Sequence, residues 1–326
     1  MNVPFLLKPA VKDYLWGGSR LNDDFNFGID IYPFAEAWMC STHPDGNSIV
    51  PLFNCSLSEI LERHPEYLGT HPLQITGCKP ELPILIKFID AKDNLSVQVH
   101  PNDEYALLHE NQWGKTEMWY VLDAKPNSTL VYGFNRNTTP NEVRTAITNG
   151  TINKMLNHTP IHKGDLFYIE AGTIHAIGAG ILLVEIQENS NVTYRLYDYD
   201  RIDKNGKKRP LHIDKALEVA NLCKVSVPRQ PLRVLKYKNG SASELLTRCK
   251  YFQVERLLLN TEVHRELVNF KTETNSFHVL LCIEGCGSIS GFDFMMNFFK
   301  GDCIFVPADS ISLKFHGKAK MLDITC

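Results

Sequence analysis

KGDLFYIEAGTIHAI, residues 163–177, returns near the end of the chain as KGDCIFVPADSISLK, residues 300–314. Each copy opens on a Gly-Asp turn, runs through a β-branched and aromatic strand, and closes on a second turn. EMWYVLDA from Glu117 and FHVLLCIEG from Phe277 precede the two copies with similar strand character. One β-unit used twice predicts two related β-barrels in tandem. Aligning Gly164 on Gly301 sets His175 against Ser312, so the second copy lacks whatever His175 does and reads as structural.

The rest of the chain agrees with that scheme. PILIKFID, LSVQVH, TLVYGF, LLVEIQ, VTYRLY and FQVERLLL are short apolar or β-branched runs separated by Gly, Pro and Asn turns, the pattern of an all-β sandwich or barrel. Helical patterns are few: SLSEILERHPEYLG, TPNEVRTAITNGTINKML and HIDKALEVANL. The first places Ser56 three residues before Glu59, a capping-box spacing. No regular βαβ alternation accompanies them. The expected fold is all-β with a few helices, in two domains. These are a catalytic domain over 1–230 and a barrel over 231–326 without metal ligands, joined near VSVPRQPLRVLKYKNGSA, which begins at Val225.

Composition narrows the partners. The 326 residues are 44% hydrophobic and carry a formal net charge of −3, which gives no electrostatic reason to expect nucleic acid or an anionic membrane. No apolar run approaches the length of a spanning helix, and the N-terminal residues lack the layout of a signal peptide. Nine cysteines without CxxC spacing read as reduced thiols in a cytoplasmic protein.

LSVQVHPNDEY, residues 95–105, raises the chemical question. Alternation puts Ser96, Gln98 and His100 on one face of a strand and Leu95, Val97 and Val99 on the other. KTE at 115–117 puts Lys115 and Glu117 on one face in the same way, and GTIH ends on His175. Two neutral imidazoles, a carboxylate and an amide oxygen can surround a divalent first-row metal such as zinc. A single strand histidine is ordinarily a core or surface residue, and His43, His64, His71, His109, His158 and His162 keep that reading. What sets the three segments apart is their occurrence on consecutive β-segments, with G-D-x5-A-G-x2-H closing the set. That arrangement resembles the two motifs of a cupin, a jelly-roll barrel.

Longer strings extend the resemblance. LPILIKFIDAKDNLSVQVHPND, GKTEMWYVLDA and GDLFYIEAGTIHAIGAGILLVEIQENSNVTYRLYDYDR are similar to type I mannose-6-phosphate isomerase, in its short form from Gram-positive bacteria. LKPAVKDYLWGGSRL and AEAWMCSTHPDGNSIV share the likeness, which runs from about residue 7 to 215. Long forms carry a large helical insertion where this chain has only TPNEVRTAITNGTINKML. They also continue after the histidine with an R-A-G-x-T-P-K type segment. This chain has VTYRLYDYDR instead, so the short form's pattern is what places the catalytic arginine on Arg195.

The resemblance implies zinc bound by Gln98, His100, Glu117 and His175, and interconversion of mannose 6-phosphate with fructose 6-phosphate through an enediolate. Gln98 binds either the metal or the substrate. Arg195 would stabilise the enediolate or hold phosphate through its planar fork; without the resemblance it reads as a sheet-face arginine paired with Asp198 or Asp200. Lys115, beside a dication, would give up its proton more readily and act as acid or base, or else attract phosphate. Ser96 and Lys87 are the phosphate candidates. Glu185, a carboxylate in an apolar strand, would have its pKa raised by burial and serve proton transfer, or support a ligand histidine. Two other readings compete: a cupin dioxygenase using a different metal, and a non-enzymatic cupin that only binds a sugar phosphate.

Overall fold

The runs rich in Ile, Val, Phe and Tyr are strands in the computed structural model, which describes residues 2–202, 206–226, 230, 232–264 and 266–326. EMWYVLDA and TLVYGF become Glu117–Ala124 and Thr129–Phe134. LPILIKFIDA supplies Ile84–Ala91 and LLVEIQ supplies Ile181–Glu188, both buried at every position. LSVQVH is shorter than its alternation suggests: only Val97–Val99 is strand, with Ser96 and His100 flanking it.

Three main sheets result. One has six strands, in the order Leu166–Ile169, Glu117–Ala124, Ile181–Glu188, Ile84–Ala91, Glu36–Cys40 and Ala10–Lys12. A second has five, Leu156–Pro160, Thr129–Phe134, His175–Ala176, Val97–Val99 and Tyr194–Tyr197. The third has nine strands, drawn from the C-terminal part of the chain and from Phe5–Leu7.

Side-chain alternation decides how these sheets stack. Ile89, Trp119, Phe167 and Leu183 of the six-stranded sheet share a core with Leu130 of the five-stranded sheet. From the opposite face, Ile86, Phe88, Met118 and Val184 pack with Val279, Phe305 and Ile324 of the nine-stranded sheet. The six-stranded sheet is therefore the middle layer, and any charged residue on its inner face points between two layers. The outer face of the five-stranded sheet, with Val97, Val99 and Val131, is covered by Val143 and Ala146 of the helix Pro140–Thr148 and by Ala216 and Leu217 of Ile213–Val219.

The repeat is a repeat in three dimensions. Gly164 and Gly301 both have positive φ, 88° and 98°. Gly164 donates to Val121 O and Gly301 to Cys282 O, each at 2.8 Å. Asp165 and Asp302 each accept from the backbone three residues back, at 2.7 Å. The following strands, Leu166–Ile169 and Cys303–Val306, pair antiparallel with Glu117–Ala124 and His278–Gly291 in the same register. One strand crosses the division expected at residue 230: Phe5–Leu7 pairs with Cys303–Val306, and Phe5 stacks on Phe305 at 5.2 Å between centroids.

The three expected helical segments are helices, and Ser56 and Glu59 form the capping box. Such a cap contributes about 1 kcal/mol. Thr139 and Glu142 form another. Arg20–Phe25, Thr70–Ile75, Asp103–Glu110 and Thr261–His264 are helices the sequence reading did not anticipate. Of the expected linker, residues 227–229 and 231 lie outside the described residues. All nine cysteines are free thiols, and no described helix is long and apolar enough to cross a membrane.

Candidate active site

Charged residues on buried strands have few places to point, and here they point at one another. Lys87 and Glu185 are direct cross-strand partners, as are Glu185 and Trp119. Lys87 Nζ lies 2.9 Å from Glu185 Oε1, and the Trp119 indole N–H donates to Glu185 Oε2 at 3.0 Å. On its other side Lys87 approaches Glu36 at 3.8 Å, while the Trp38 indole N–H donates to Glu36 at 2.7 Å. Burial alone would lower the Lys87 pKa, but Glu185 and Glu36 outweigh it and raise it. For Glu185 the expectation from burial is overturned: burial would raise its pKa, yet Lys87 and Lys115 hold it well below the usual carboxylate range. Glu185 is an ionised partner of two lysines.

His100, Glu117 and His175 converge beside this row. Their ligand atoms lie within 4.8 Å of one another, and the side chains are between 0% and 1% exposed. The backbone fixes both tautomers. His100 Nδ1 faces Val192 O and His175 Nδ1 faces Thr173 O, each at 2.8 Å, so both rings carry a proton on Nδ1 and a lone pair on Nε2. Those Nε2 atoms lie 3.5 and 3.4 Å from the two Glu117 oxygens. Burial pushes both imidazole pKa values down, with Lys115 adding to the effect. Burial, with the charge of Glu185, pushes the Glu117 carboxyl up.

Glu117 Oε1 is a buried oxygen that accepts no hydrogen bond. An acceptor left so in a dry interior costs about 1–3 kcal/mol. Two unprotonated imidazole nitrogens and an orphaned carboxylate oxygen converging on one point fit a divalent cation with nitrogen and oxygen ligands. Lys115 Nζ borders the cluster, 2.7 Å from Glu117 Oε2, 3.0 Å from His100 Nε2 and 4.0 Å from Glu185. Gln98 is paired with His175 in the sheet and turns its amide nitrogen toward His175 Nε2 at 3.4 Å, with its oxygen toward the Ser96 hydroxyl.

A cavity of about 260 Å³ opens from these residues. Lys87, Lys115 and Glu185 line one part of it, and Ser96, Arg195 and Arg209 another. Arg195 donates to Ser96 Oγ at 3.3 Å and to Pro210 O at 2.9 Å. It is not the partner of Asp198 or Asp200. Asp198 is held by Arg201 and Arg209, and Asp200 by Lys208. Every residue singled out in the sequence thus reaches the cavity or the cluster beside it.

Sequence reasoning missed Glu36 and Arg209. Glu36 had a signal, being a carboxylate in the apolar run AEAWMC, now the fully buried strand Glu36–Cys40. Arg209 had none, because it enters from a loop and is placed by its ion pair with Asp198, not by periodicity.

The comparisons with known proteins agree with this geometry. The family model for the catalytic domain of type I phosphomannose isomerase matches residues 5–131. The mannose-6-phosphate isomerase ManA of Bacillus subtilis is 37% identical over 327 residues, covering 98% of each chain. The mannose-6-phosphate isomerase of Streptococcus mutans is 32% identical over 325 residues, covering 99% of this chain and 98% of its own. The crystal structure of the Bacillus subtilis mannose 6-phosphate isomerase superposes with a TM-score of 0.88 at 32% identity over 99% of both chains. The chain belongs to the type I phosphomannose isomerase family.

Proposed function

We propose that this protein is a zinc-dependent aldose–ketose isomerase that interconverts mannose 6-phosphate and fructose 6-phosphate in the cytoplasm. His100, Glu117 and His175 bind the metal, and Gln98 joins them once its amide oxygen and nitrogen exchange places. The observation that carries this reading is the cluster itself: two Nε2 lone pairs and an unsatisfied buried carboxylate oxygen at the edge of a cavity lined with cations. A bound divalent ion supplies Lewis-acid polarisation of the sugar oxygens at C1 and C2.

The chain's own residues account for the rest. Arg195, Arg209 and the Ser96 hydroxyl form a cationic end suited to the phosphate, which orients the open-chain sugar with C1 and C2 toward Lys115 and Glu185. Isomerisation carries the C2 hydrogen to C1 as a proton and moves a hydroxyl proton from O2 to O1. Lys115 Nζ, beside both the cluster and Glu185, is placed to give and take a proton. Lys87, clamped between Glu185 and Glu36, keeps the carboxylate ionised and fixed.

The fold reading we adopt is two tandem cupin barrels. Residues 1–230 form the catalytic one and 231–326 a barrel without metal ligands, completed at its edge by the strand Phe5–Leu7. The turn geometry shared by the two K-G-D segments supports it. The test is enzymatic. Purified protein should convert mannose 6-phosphate to fructose 6-phosphate, lose that activity on chelation and regain it with zinc. Full turnover after complete metal removal would refute metal dependence, and absence of turnover in the zinc-loaded protein would refute the isomerase reading.

A further inference from the structure

The two K-G-D turns meet at a second cavity, of about 250 Å³, which shares no lining residue with the active-site cavity. Its walls are built twice over. Lys163 and Lys300 precede the equivalent glycines. Gly164 bonds Val121 and Gly301 bonds Cys282, so the residues that follow, Leu122 and Asp123, correspond to Ile283 and Glu284. All four line the cavity. Even the irregularity repeats: the register to the next strand slips across Leu122 in one copy and across Ile283 in the other. A bulge at that point re-aims the next side chain, and Asp123 and Glu284 are those side chains. The cavity is thus lined by equivalent positions of the two repeats.

The charges are not balanced. Asp123 and Asp24 are each 2.8 Å from Arg20, and Glu284 is 2.8 Å from Lys320, so every carboxylate lining the cavity already has a cation. Lys163 and Lys300 are left over; both are near enough to Glu284 to help depress its pKa, though Lys320 does most. Among the described residues neither has a carboxylate within ion-pair distance, and Lys300 rests over the Phe25 ring at 4.6 Å. Four cations therefore face three carboxylates around a pocket whose floor includes Leu122, Ile283 and Phe25.

We propose that this cavity is an oxyanion-binding site, in which one phosphate-type dianion is gripped by Lys163 from the first repeat and Lys300 from the second. A tetrahedral dianion presents several divergent oxygens, so two ammonium groups, one from each repeat, can each take one. By binding only when both repeats are in place, it ties the two halves together and stabilises the folded state.

The test uses the full-length chain with inorganic phosphate as probe, titrated against chloride at constant ionic strength and followed by thermal midpoint. The Arg195→Ala variant separates this site from the active-site cavity. We expect phosphate still to raise the midpoint of the Arg195→Ala protein, less whatever the active-site cavity contributes in the unaltered one. Adding Lys163→Ala and Lys300→Ala should weaken that response at least about tenfold in apparent affinity, the equivalent of 1.4 kcal/mol. Lys163→Arg with Lys300→Arg should preserve it. Both lysines are exposed, so the alanine pair should fold and keep its isomerase rate in the Arg195 background. An unchanged phosphate response in the alanine pair, or a response lost with Arg195→Ala alone, would overturn the proposal.

Discussion

The two repeats have one backbone and two chemistries. Sheet register sets Glu117 against His278, Glu185 against Asp323 and Lys87 against Glu255. In the first repeat the row is lysine, carboxylate and carboxylate, and two histidines, one at the end of Val97–Val99 and one in His175–Ala176, turn their Nε2 atoms toward the Glu117 carboxylate. In the second, His278 Nδ1 bonds Asp323 at 2.7 Å. Burial there would lower the imidazole pKa, but Asp323 outweighs it and raises it, and that carboxylate takes up the ring's Nδ1. His175 is 1% exposed in the first copy; its counterpart Ser312 is on the surface. The difference teaches that the scaffold supplies positions, while the sign and partner of each charge decide whether those positions become a site.

Three predictions sharpen that comparison. The largest effect is expected at Arg195, in the first repeat's cavity. Arg195→Lys keeps the charge but loses the bidentate fork, so kcat and kcat/KM should fall together by roughly 2–4 kcal/mol, as for loss of one preorganised donor. Metal content should not change. A variant with wild-type kcat and only a lower melting temperature would make Arg195 a structural residue.

The turn glycines compare the two copies directly. Gly164→Ala and Gly301→Ala both force a Cβ into a positive-φ conformation, at a cost of roughly 1–2 kcal/mol. At Gly164 the new methyl meets nothing within 4 Å, whereas at Gly301 it comes 3.1 Å from Phe25 O and 3.2 Å from Phe25 Cβ. Denaturant midpoints should therefore fall further for Gly301→Ala. Equal losses would mean that the C-terminal turn is no more tightly packed than the catalytic one.

A pH-dependent effect concerns the seam between the site and the C-terminal sheet. Buried Glu188 accepts from Thr116 N at 2.6 Å and faces Asp103, which Tyr251 and Lys250 bond. Burial and Asp103 push the Glu188 carboxyl up to about 8, from an ordinary 4.5. The folded protein holds a proton that the unfolded chain has released, so stability falls as pH rises from about 5 to 8. Asp103, shifted the other way, is ionised in both states across that window. Glu188→Gln should flatten this part of the stability–pH curve, measured by denaturation at several pH values. An unchanged slope would remove Glu188 as its source.

How much of this could be read from the chain depends on what fixed each residue. EMWYVLDA and TLVYGF matched their strands to the residue because β-branched and aromatic side chains filled both faces. Lys87, Glu117 and Glu185 were legible because a charge in such a run has to be used. The helix Asp103–Glu110 was not, since it buries only Ala106 and leaves Leu107 and Leu108 exposed, which erases the periodicity that announces a helix. Phe5–Leu7 was too short to say which sheet it joins. Arg209 answers to Asp198, and no local pattern encodes a contact between a loop and an ion pair.

The central claim is that the chemistry belongs to the His175 repeat and not to the Ser312 repeat. The most direct test is to measure bound metal and isomerase rate side by side in His175→Ala and Ser312→Ala. The account predicts that His175→Ala loses both metal and turnover while Ser312→Ala keeps both. Metal content in His175→Ala equal to that of the unaltered protein would contradict it.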